Sequence, residues 1–500
     1  MKKNHLNFRM PALLLAAFTF ISVLSSCEKQ LETKIYSQLT PKNFYKTEAD
    51  ANAALMTLYT PLSSDWARTD PGNNTTYATL YNADIKTYLF RSVGTTDEIA
   101  CDWDPNLLNF TWGPSTWGGT QDPTYYKISY VAKATDIIDV IGKSTAVSDD
   151  VKKRYIAQAK TLRAWIMYAL YDFYGPVNVK TDPATLTDTT ITPRPTAEVY
   201  SAMIEKDLLE AMPDLEDKYN ANAANWGRVS KGVARMLLLK LYMHNKAWPK
   251  AEAVAREILT MGYSLLQGST GYADVFKQKA NNELIYAVPA NNASPNYWIQ
   301  EVLPGDFKSG GGITREPGWN GYFMPWAFYD KYSATDRRRS TIIDTYTKTN
   351  NTIANKANGL RGAIPLKYTG IAGNGPGYAI DVVVFRYAEV LLSLAEAINE
   401  QRGPDDAYQY VNQVRLRAGE PDFAGMNEGQ FKTALLEERG RELYGEGARR
   451  QDLIRNGTFI SNAIARGKTN AQPHMVVFPI PNAVILQGRG IIEQNPNYPR

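Results

Sequence analysis

The chain of 500 residues is 44% hydrophobic and 21% charged, which is typical of a globular protein. Its 55 lysines and arginines nearly balance its 51 aspartates and glutamates, so there is no basic excess of the kind that a nucleic-acid-binding surface needs. Two cysteines are too few for a disulfide framework or a cysteine-rich metal site.

Residues 1–26 have the pattern of a bacterial lipoprotein signal peptide. A basic start is followed by an apolar stretch from Pro11 to Leu24, and the segment ends in Leu24-Ser25-Ser26-Cys27, which resembles a lipobox. The apolar run of about 14 residues is shorter than the roughly 20 that span a bilayer. We therefore expect cleavage before Cys27 and membrane anchoring through acyl chains on this cysteine. The alternative is an ordinary signal peptide with an incidental cysteine.

Several separated stretches have the apolar period of amphipathic helices. A small-residue helix is predicted from Ala51 to Tyr59. A much longer helix is predicted to begin after the Ser148 cap and to end at Gly175-Pro176. Further helices are predicted over about 196–212, 230–246, 250–261, 385–400, 405–418 and 428–444.

Two pairs of these helices have the internal spacing of a tetratricopeptide-like hairpin, in which small alanines let the second helix approach the first closely. The residues at these positions are Leu238, Tyr242, Ala251, Ala255 and Ile258 in the first pair, and Leu394, Ala395, Ile398, Ala407, Val411 and Val414 in the second. Because the pairs are far apart in sequence, we do not expect a tandem array. Two generic antiparallel helix pairs are the alternative.

Helical periodicity fades in two regions that are rich in loop-forming and aromatic residues, 60–130 and 263–380. A segment as long as the second is usually functional when it lies within a helical scaffold. The expected organisation is therefore a signal peptide, an N-terminal helical region, a loop-rich insertion and a C-terminal helical region, over residues 1–26, 27–262, 263–380 and 381–500. A chain of this length usually exceeds a single hydrophobic core.

Five stretches, together with the lipobox, resemble the SusD/RagB lipoproteins of the Bacteroidetes, the surface partners of TonB-dependent transporters. These stretches are RAWIMYALYDFYGP (163–176), FRYAEVLLSLAEAIN (385–399), VNQVRLRAG (411–419), EERGRELYGEGARRQDLIR (437–455) and VFPIP (477–481) with Gln494-Asn495-Pro496. One departure is Arg449, which precedes Arg450-Gln451 where the family usually places aromatics behind an arginine. This departure puts the local packing in doubt.

The resemblance implies a mostly α fold, with a tetratricopeptide-like scaffold and a loop-rich, partly β portion that faces the ligand. It also implies a non-catalytic lipoprotein at the outer-membrane surface. Such a protein captures an oligosaccharide and passes it to a SusC-like TonB-dependent transporter without a cofactor. The family's ligand residues carry no fixed motif, so the resemblance assigns none of them by position.

Seven aromatic residues in the two irregular regions are the candidate glycan-binding set. Flat, rigid and amphipathic rings suit a sugar, because its C–H face is apolar and its edge hydroxyls need hydrogen-bond partners. The set consists of Trp103, Trp112, Trp117, Trp298, Trp319, Tyr322 and Trp326. Core packing is the alternative for each of them.

Catalytic and metal-binding groups are scarce. Outside the predicted signal peptide the sequence has two histidines, His244 and His474. Neither has a nucleophile or a second metal ligand nearby in the sequence, so we expect neither a catalytic triad nor a zinc site. Asp97-Glu98, Asp102 and Asp104 could be acid/base residues, sugar contacts, calcium ligands or solvated loop residues. We take the charged stretch 437–455 and Arg337-Arg338-Arg339 as structural.

Two other function classes stay open. One is a scaffold on the cell surface whose helical hairpins hold a peptide or a partner protein, in which case the loop tryptophans would be buried. The other is a surface hydrolase that uses two carboxylates. No metal and no nucleic-acid partner are expected in either case.

Overall fold

The computed structural model describes residues 47–64, 79–82, 84, 86–116, 122–308, 318–368 and 378–499. Cys27 and the predicted signal peptide therefore lie outside the described residues. Within the described part, no helix combines the length and the apolar character that crossing a membrane requires.

Helices dominate the structure, and six short strands accompany them. The helices are α1 Glu48–Thr57, α2 Tyr88–Gly94, α3 Pro105–Asn109, α4 Ile128–Lys143, α5 Asp149–Tyr174, α6 Ala197–Ala211, α7 Lys231–His244, α8 Trp248–Leu259, α9 Gly271–Val275, α10 Trp298–Val302, α11 Trp326–Tyr329, α12 Tyr387–Arg402, α13 Tyr408–Ala418, α14 Glu428–Leu443, α15 Arg449–Arg455, α16 Phe459–Ala465 and α17 Asn482–Gln487. The strands are β1 Ala100–Cys101, β2 Leu284–Val288, β3 Tyr322–Phe323, β4 Thr345–Thr347, β5 Ile353–Asn355 and β6 Val382–Arg386.

The long helix α5 lies at the centre of the N-terminal half. It begins after Ser148 with two acidic residues in its first turn, where negative charge favours the helix dipole. It ends at Gly175, whose φ of 68° is the left-handed conformation that glycine adopts at low cost. From Thr161 to Tyr174 every residue is buried, because α4, α6 and the elements around α2 cover the helix.

The main helices form one continuous stack. Helix α4 packs on α5, α5 on α6, α6 on α7 and α7 on α8. Helix α8 then packs directly on α12, which in turn contacts α13 and α14. The two hairpins are not tandem in sequence, as expected, because residues 260–386 are inserted between them, yet α7–α8 and α12–α13 are consecutive units in space.

The physical reason for this stacking is that each hairpin has an apolar face that needs a neighbour. The predicted packing positions of both hairpins are buried: Leu238, Tyr242, Ala251, Ala255, Ile258, Leu394, Ala395, Ile398, Ala407, Val411 and Val414. The alanines at the crossing allow the two units to approach each other closely.

The inserted segment contributes most of the strands, which form three antiparallel two-stranded ribbons: β1–β3, β2–β6 and β4–β5. Strand β6 corrects the predicted helix 385–400, which begins two residues later, at Tyr387. Three consecutive valines precede Phe385, and β-branched side chains favour an extended chain. The ribbon β1–β3 joins the first irregular region to the second.

A buried network of ion pairs connects the insertion to the C-terminal helices. Arg386 at the end of β6 contacts Glu283, Glu442 and Glu446, and all four side chains are buried. Arg338 pairs with Asp336 and Glu438 in the same interior. Glu438 and Glu442 of α14 and Arg338 of the 337–339 run thus serve as internal scaffold, whereas Arg337 is exposed and Arg339 is half-buried.

Candidate ligand-binding site

The structure separates the seven predicted aromatic residues by exposure. Trp103 and Trp319 are 42% and 39% exposed, more than the other described tryptophans. Trp326 is half-buried: its Nε1 donates a 2.8 Å hydrogen bond to the Leu360 carbonyl, and Lys356 lies over its ring. Trp117 lies outside the described residues. The ligand-binding roles of Trp117 and Trp326 stay predictions, as do those of Trp103 and Trp319.

Three of the seven residues are core side chains, and the expectation for them needs correction. The buried Trp112 ring donates a 2.9 Å hydrogen bond from Nε1 to Tyr498 Oη, and the buried Trp298 ring donates one of 2.8 Å to the Pro365 carbonyl. Tyr322 is fully buried and stacks on Phe90 with 4.4 Å between ring centroids. Trp298 begins α10 and Tyr322 begins β3, and both rings pack into the core. A loop-like sequence therefore does not place an aromatic ring at the surface.

Trp103 is held at the surface by the ribbon β1–β3. It follows β1, and its ring lies directly on the backbone of Gly321, where a Cβ atom would come within 2.6 Å of the indole. Below it, the Tyr322 ring lies 5.8 Å away between centroids. One side of the indole is therefore fixed against the protein, and the rest is available to a ligand.

Trp319 is positioned by the end of α10. Its backbone N–H donates to the Gln300 carbonyl at 2.8 Å, and the Gly321 N–H donates to the Glu301 carbonyl at the same distance. The half-buried Tyr297 ring stacks on the Trp319 indole, with 6.1 Å between centroids and 13° between ring planes. The Tyr297 and Trp319 rings are thus nearly parallel.

A cation lies between these aromatic groups. The Arg361 guanidinium donates hydrogen bonds to the Asp102 carboxylate and to the Asn320 carbonyl. It also lies over the Phe323 ring, 4.3 Å from the centroid, at a distance typical of a cation–π contact. We call Trp103, Tyr297 and Trp319 the exposed aromatic patch; Arg361 contacts the chain neighbours of both tryptophans.

Sequence reasoning missed Tyr297 and Arg361. For Tyr297 a signal existed: Trp298, Ile299 and Val302 form the apolar face of a short helix, so the preceding tyrosine is directed elsewhere. For Arg361 there was none, because its partner Asp102 is more than 250 positions away in the sequence.

The exposed aromatic patch is an open surface. In the described part of the chain, two clefts of about 430 and 640 Å³ lie on the helical scaffold; polar side chains dominate the first, and the second has polar and apolar side chains. Neither of them includes a patch residue. A flat aromatic surface flanked by hydrogen-bonding groups suits an extended ligand better than a small enclosed one.

The four acidic residues near Trp103 have different environments. Asp97 accepts hydrogen bonds from Arg449 at 2.8 and 2.9 Å and from Lys331 at 3.0 Å, and these cations hold its pKa well below its usual range. Burial raises the pKa of Glu98 well above its usual range. Asp104 caps α3 by accepting from the Leu107 N–H, and Asp102 pairs with Arg361. The contact with Asp97 also resolves the packing at Arg449.

Histidine and metal-ligating groups add nothing to this surface. His244 packs against Tyr171, and His474 against Tyr498, with ring centroids 4.7 and 4.5 Å apart. Among the described residues there is no group of three His, Cys, Asp or Glu side chains that could hold a metal ion.

Glu301, which carries the carbonyl that orients Gly321, is a buried acid. Burial raises its pKa to about 9, the nearby Asp84 adds to the shift, and within the described residues its Oε2 has no hydrogen-bond partner. Between the unfolded pKa and about 9, the folded protein holds a proton that the unfolded chain has released. Stability therefore falls as pH rises through this window.

Glu301→Gln removes this proton uptake, because the amide is neutral in both states. We expect the variant to increase the free energy of unfolding by about 2 kcal/mol at pH 7.5 and by less than about 1 kcal/mol at pH 5. Urea denaturation at the two pH values measures the difference. Glu438→Gln is the control of opposite sign, because ion pairs lower the pKa of Glu438 to about 2, and this variant should be less stable at pH 7.5. An equal effect of Glu301→Gln at both pH values would contradict the assignment.

Comparisons with known proteins agree with this architecture. The SusD family model matches residues 319–498. A SusD-like protein of Formosa agariphila is 26% identical over 92% of this chain and 95% of the relative. The starch-binding protein SusD of Bacteroides thetaiotaomicron is 24% identical over 81% of this chain and 84% of the relative.

Solved structures have the same fold. Surface glycan-binding protein A from Bacteroides thetaiotaomicron, in complex with laminarihexaose, matches with a TM-score of 0.72 at 22% identity, over 90% of this chain and 99% of that one. Surface glycan-binding protein A from Bacteroides uniformis matches with a TM-score of 0.73 at 21% identity, over 90% and 99%. The predicted mostly α fold is confirmed.

Proposed function

Because the chain belongs to the SusD family, we propose that it is a surface glycan-binding lipoprotein that captures an oligosaccharide and does not cleave it. The observation that carries the proposal is the exposed aromatic patch. Two exposed indoles, one of them stacked on the half-buried Tyr297, lie on a fixed backbone, and the polar groups of Asp102 and Asn320 lie on the same segments, where Arg361 contacts both. Rings of this kind bind the C–H faces of a sugar, and the polar groups bind its hydroxyls.

The likeness to named glycan binders supports the choice of ligand. One relative is a starch-binding protein, and one structural neighbour was solved with laminarihexaose. The proposal for this chain is an oligosaccharide, without a choice between these glycans.

The membrane part of the proposal rests on the family and on the N-terminal sequence. Acylation of Cys27 would anchor the protein to the outer membrane at the cell surface. A SusC-like TonB-dependent transporter would be the partner that receives the glycan. The scaffold of stacked hairpins provides a broad surface for such a partner, distinct from the aromatic patch.

A glycan panel tests the proposal. The panel contains malto-, laminari-, cello- and xylo-hexaose, their disaccharides, and oligosaccharides that carry uronate or sulfate groups. We expect at least one hexasaccharide to bind with a Kd below about 1 mM in calorimetry, with a change in tryptophan fluorescence. Prolonged incubation should leave the bound oligosaccharide intact.

Three outcomes would contradict the proposal. Binding of peptides without any glycan response would favour the peptide-binding scaffold. Shortened products after incubation would favour a hydrolase. Glycan binding with no change in tryptophan fluorescence would remove the exposed aromatic patch as the site.

A further inference from the structure

The two exposed indoles lie on different segments of the chain, which the ribbon β1–β3 joins and which one side chain connects again beside the rings. Asp102 precedes Trp103 in the first irregular region, and Asn320 follows Trp319 in the second. Arg361 donates hydrogen bonds to both Asp102 and the Asn320 carbonyl. It therefore crosslinks the backbone positions next to the two rings.

The base of this crosslink is fixed. Ala363 and Met324 exchange backbone hydrogen bonds of 2.8 and 2.9 Å, which tie the Arg361 segment to the end of β3. At Gly362 a Cβ atom would fall 2.4 Å from the Met324 carbonyl oxygen, so the two backbones are in direct contact. The guanidinium is held from below by the Phe323 ring. The backbone next to Arg361 and its guanidinium group are thus both held in place.

We propose that Arg361 is a positioning residue of the glycan site: it holds the Trp103 and Trp319 segments at one separation and so determines the length of glycan that both rings grip at once. This inference rests on the proposed function. Arg361 acts through the rings, whether or not it touches the sugar.

The energetics favour a positioning role over a stabilising one. The Arg361 and Asp102 side chains are 32% and 50% exposed, and exposed ion pairs contribute only about 0–1 kcal/mol to stability. Loss of the crosslink should therefore leave the fold intact. What changes is the free energy of binding. Once a glycan occupies one indole, loss of the Arg361 contacts lets the segment that carries the other indole move, and the effective concentration of that indole at the glycan falls.

Arg361→Met keeps an unbranched, largely apolar side chain at this position, but removes the guanidinium and its hydrogen bonds to Asp102 and Asn320. We expect it to raise the Kd of the tightest-binding panel hexasaccharide about tenfold, and that of the matching disaccharide less than about twofold, because a disaccharide reaches one ring only. Arg361→Lys should be intermediate, because an ammonium group lacks the planar fork of a guanidinium. Calorimetry measures the Kd of the hexasaccharide and of the disaccharide for each variant and for the unmodified protein.

Arg339→Met is the matched control. Arg339 also lies over an aromatic ring, Tyr329, pairs with an aspartate, Asp344, and is 32% exposed. Its side-chain contacts within the described residues are with Tyr329 and Asp344, away from the exposed aromatic patch, so both affinities should stay within about twofold of the unmodified protein. An equal loss for hexasaccharide and disaccharide in Arg361→Met, or no loss for either, would overturn the positioning role.

A measurement without ligand separates this inference from the proposed function. In protein labelled with 5-fluorotryptophan, the ¹⁹F signals of Trp103 and Trp319 should both shift or broaden in Arg361→Met, and the signals of the buried Trp112 and Trp298 should not. Unchanged Trp103 and Trp319 signals would refute the crosslink even if glycans bind. If no glycan binds the unmodified protein, the proposed function fails, and this spectrum still decides whether Arg361 orders the two segments.

Discussion

Substitution of alanine for both Trp103 and Trp319 is expected to weaken glycan binding about 100-fold while the protein stays folded. Loss of a well-placed aromatic anchor costs about 1–2 kcal/mol of binding free energy, and every 1.4 kcal/mol is tenfold in Kd. The rings lie on separate segments, so the two losses should nearly add. Both are more than a third exposed, so little core packing is lost.

Calorimetry with the panel hexasaccharides measures this effect, and circular dichroism measures the melting temperature. Trp248→Ala is the matched control, because this half-buried tryptophan lies at the start of α8 on the helical scaffold. The control should bind as the unmodified protein does. Unchanged affinity in the double variant would show that the glycan binds elsewhere on the molecule.

The second large effect concerns stability. Arg386 has five N–H donors, and all five find acceptors in the interior: two oxygens of Glu446, one carboxylate oxygen each of Glu283 and Glu442, and the Glu442 carbonyl. Burial disfavours the guanidinium charge, yet the surrounding carboxylates raise the pKa of Arg386 well above its ordinary value. Arg417, together with Arg386 and Arg338, outweighs the effect of burial and lowers the pKa of Glu442 to about 2.

Arg386→Ala is expected to reduce the free energy of unfolding by about 3–5 kcal/mol or to prevent folding. The reason is that the buried Glu446 loses its main counter-charge, and the buried Glu283 and Glu442 each lose one of theirs. Arg386→Lys should lose less, since it keeps the charge and up to three donors. Urea denaturation measures both variants.

Lys143→Ala provides the comparison for this measurement. Its ion pair with Asp139 is exposed, with 75% of the lysine side chain accessible, and exposed pairs contribute about 0–1 kcal/mol. A loss for Arg386→Ala no larger than that of Lys143→Ala would show that the buried network is dispensable.

The helical scaffold could be predicted because its signals are local. Apolar residues at positions 155, 162, 166 and 173 mark one face of α5, and alanines mark the close crossings in both hairpins. The stacking of α8 on α12 could not be predicted, because two apolar faces separated by a long insertion do not indicate which partner each one covers.

The candidate site was predicted only by region. Loop-like composition identified the two segments that carry Trp103 and Trp319, but it could not distinguish these exposed rings from Trp298 and Tyr322. That distinction depends on which side of the ribbon β1–β3 a ring occupies. The pairing of Cys101 with Tyr322 joins positions more than 200 residues apart, and no local pattern encodes it.

The place of the insertion has a consequence for biogenesis. Helix α8 is complete at Leu259, but the helix that covers its apolar face begins at Tyr387. At a synthesis rate of about 5–20 residues per second, the apolar face of α8 stays exposed for roughly 6–25 seconds before the synthesis of α12 begins. Contacts between such distant segments also slow folding. The apolar face of α8 therefore stays uncovered until the last quarter of the chain is synthesised, and we expect a holding chaperone to protect it from aggregation until then.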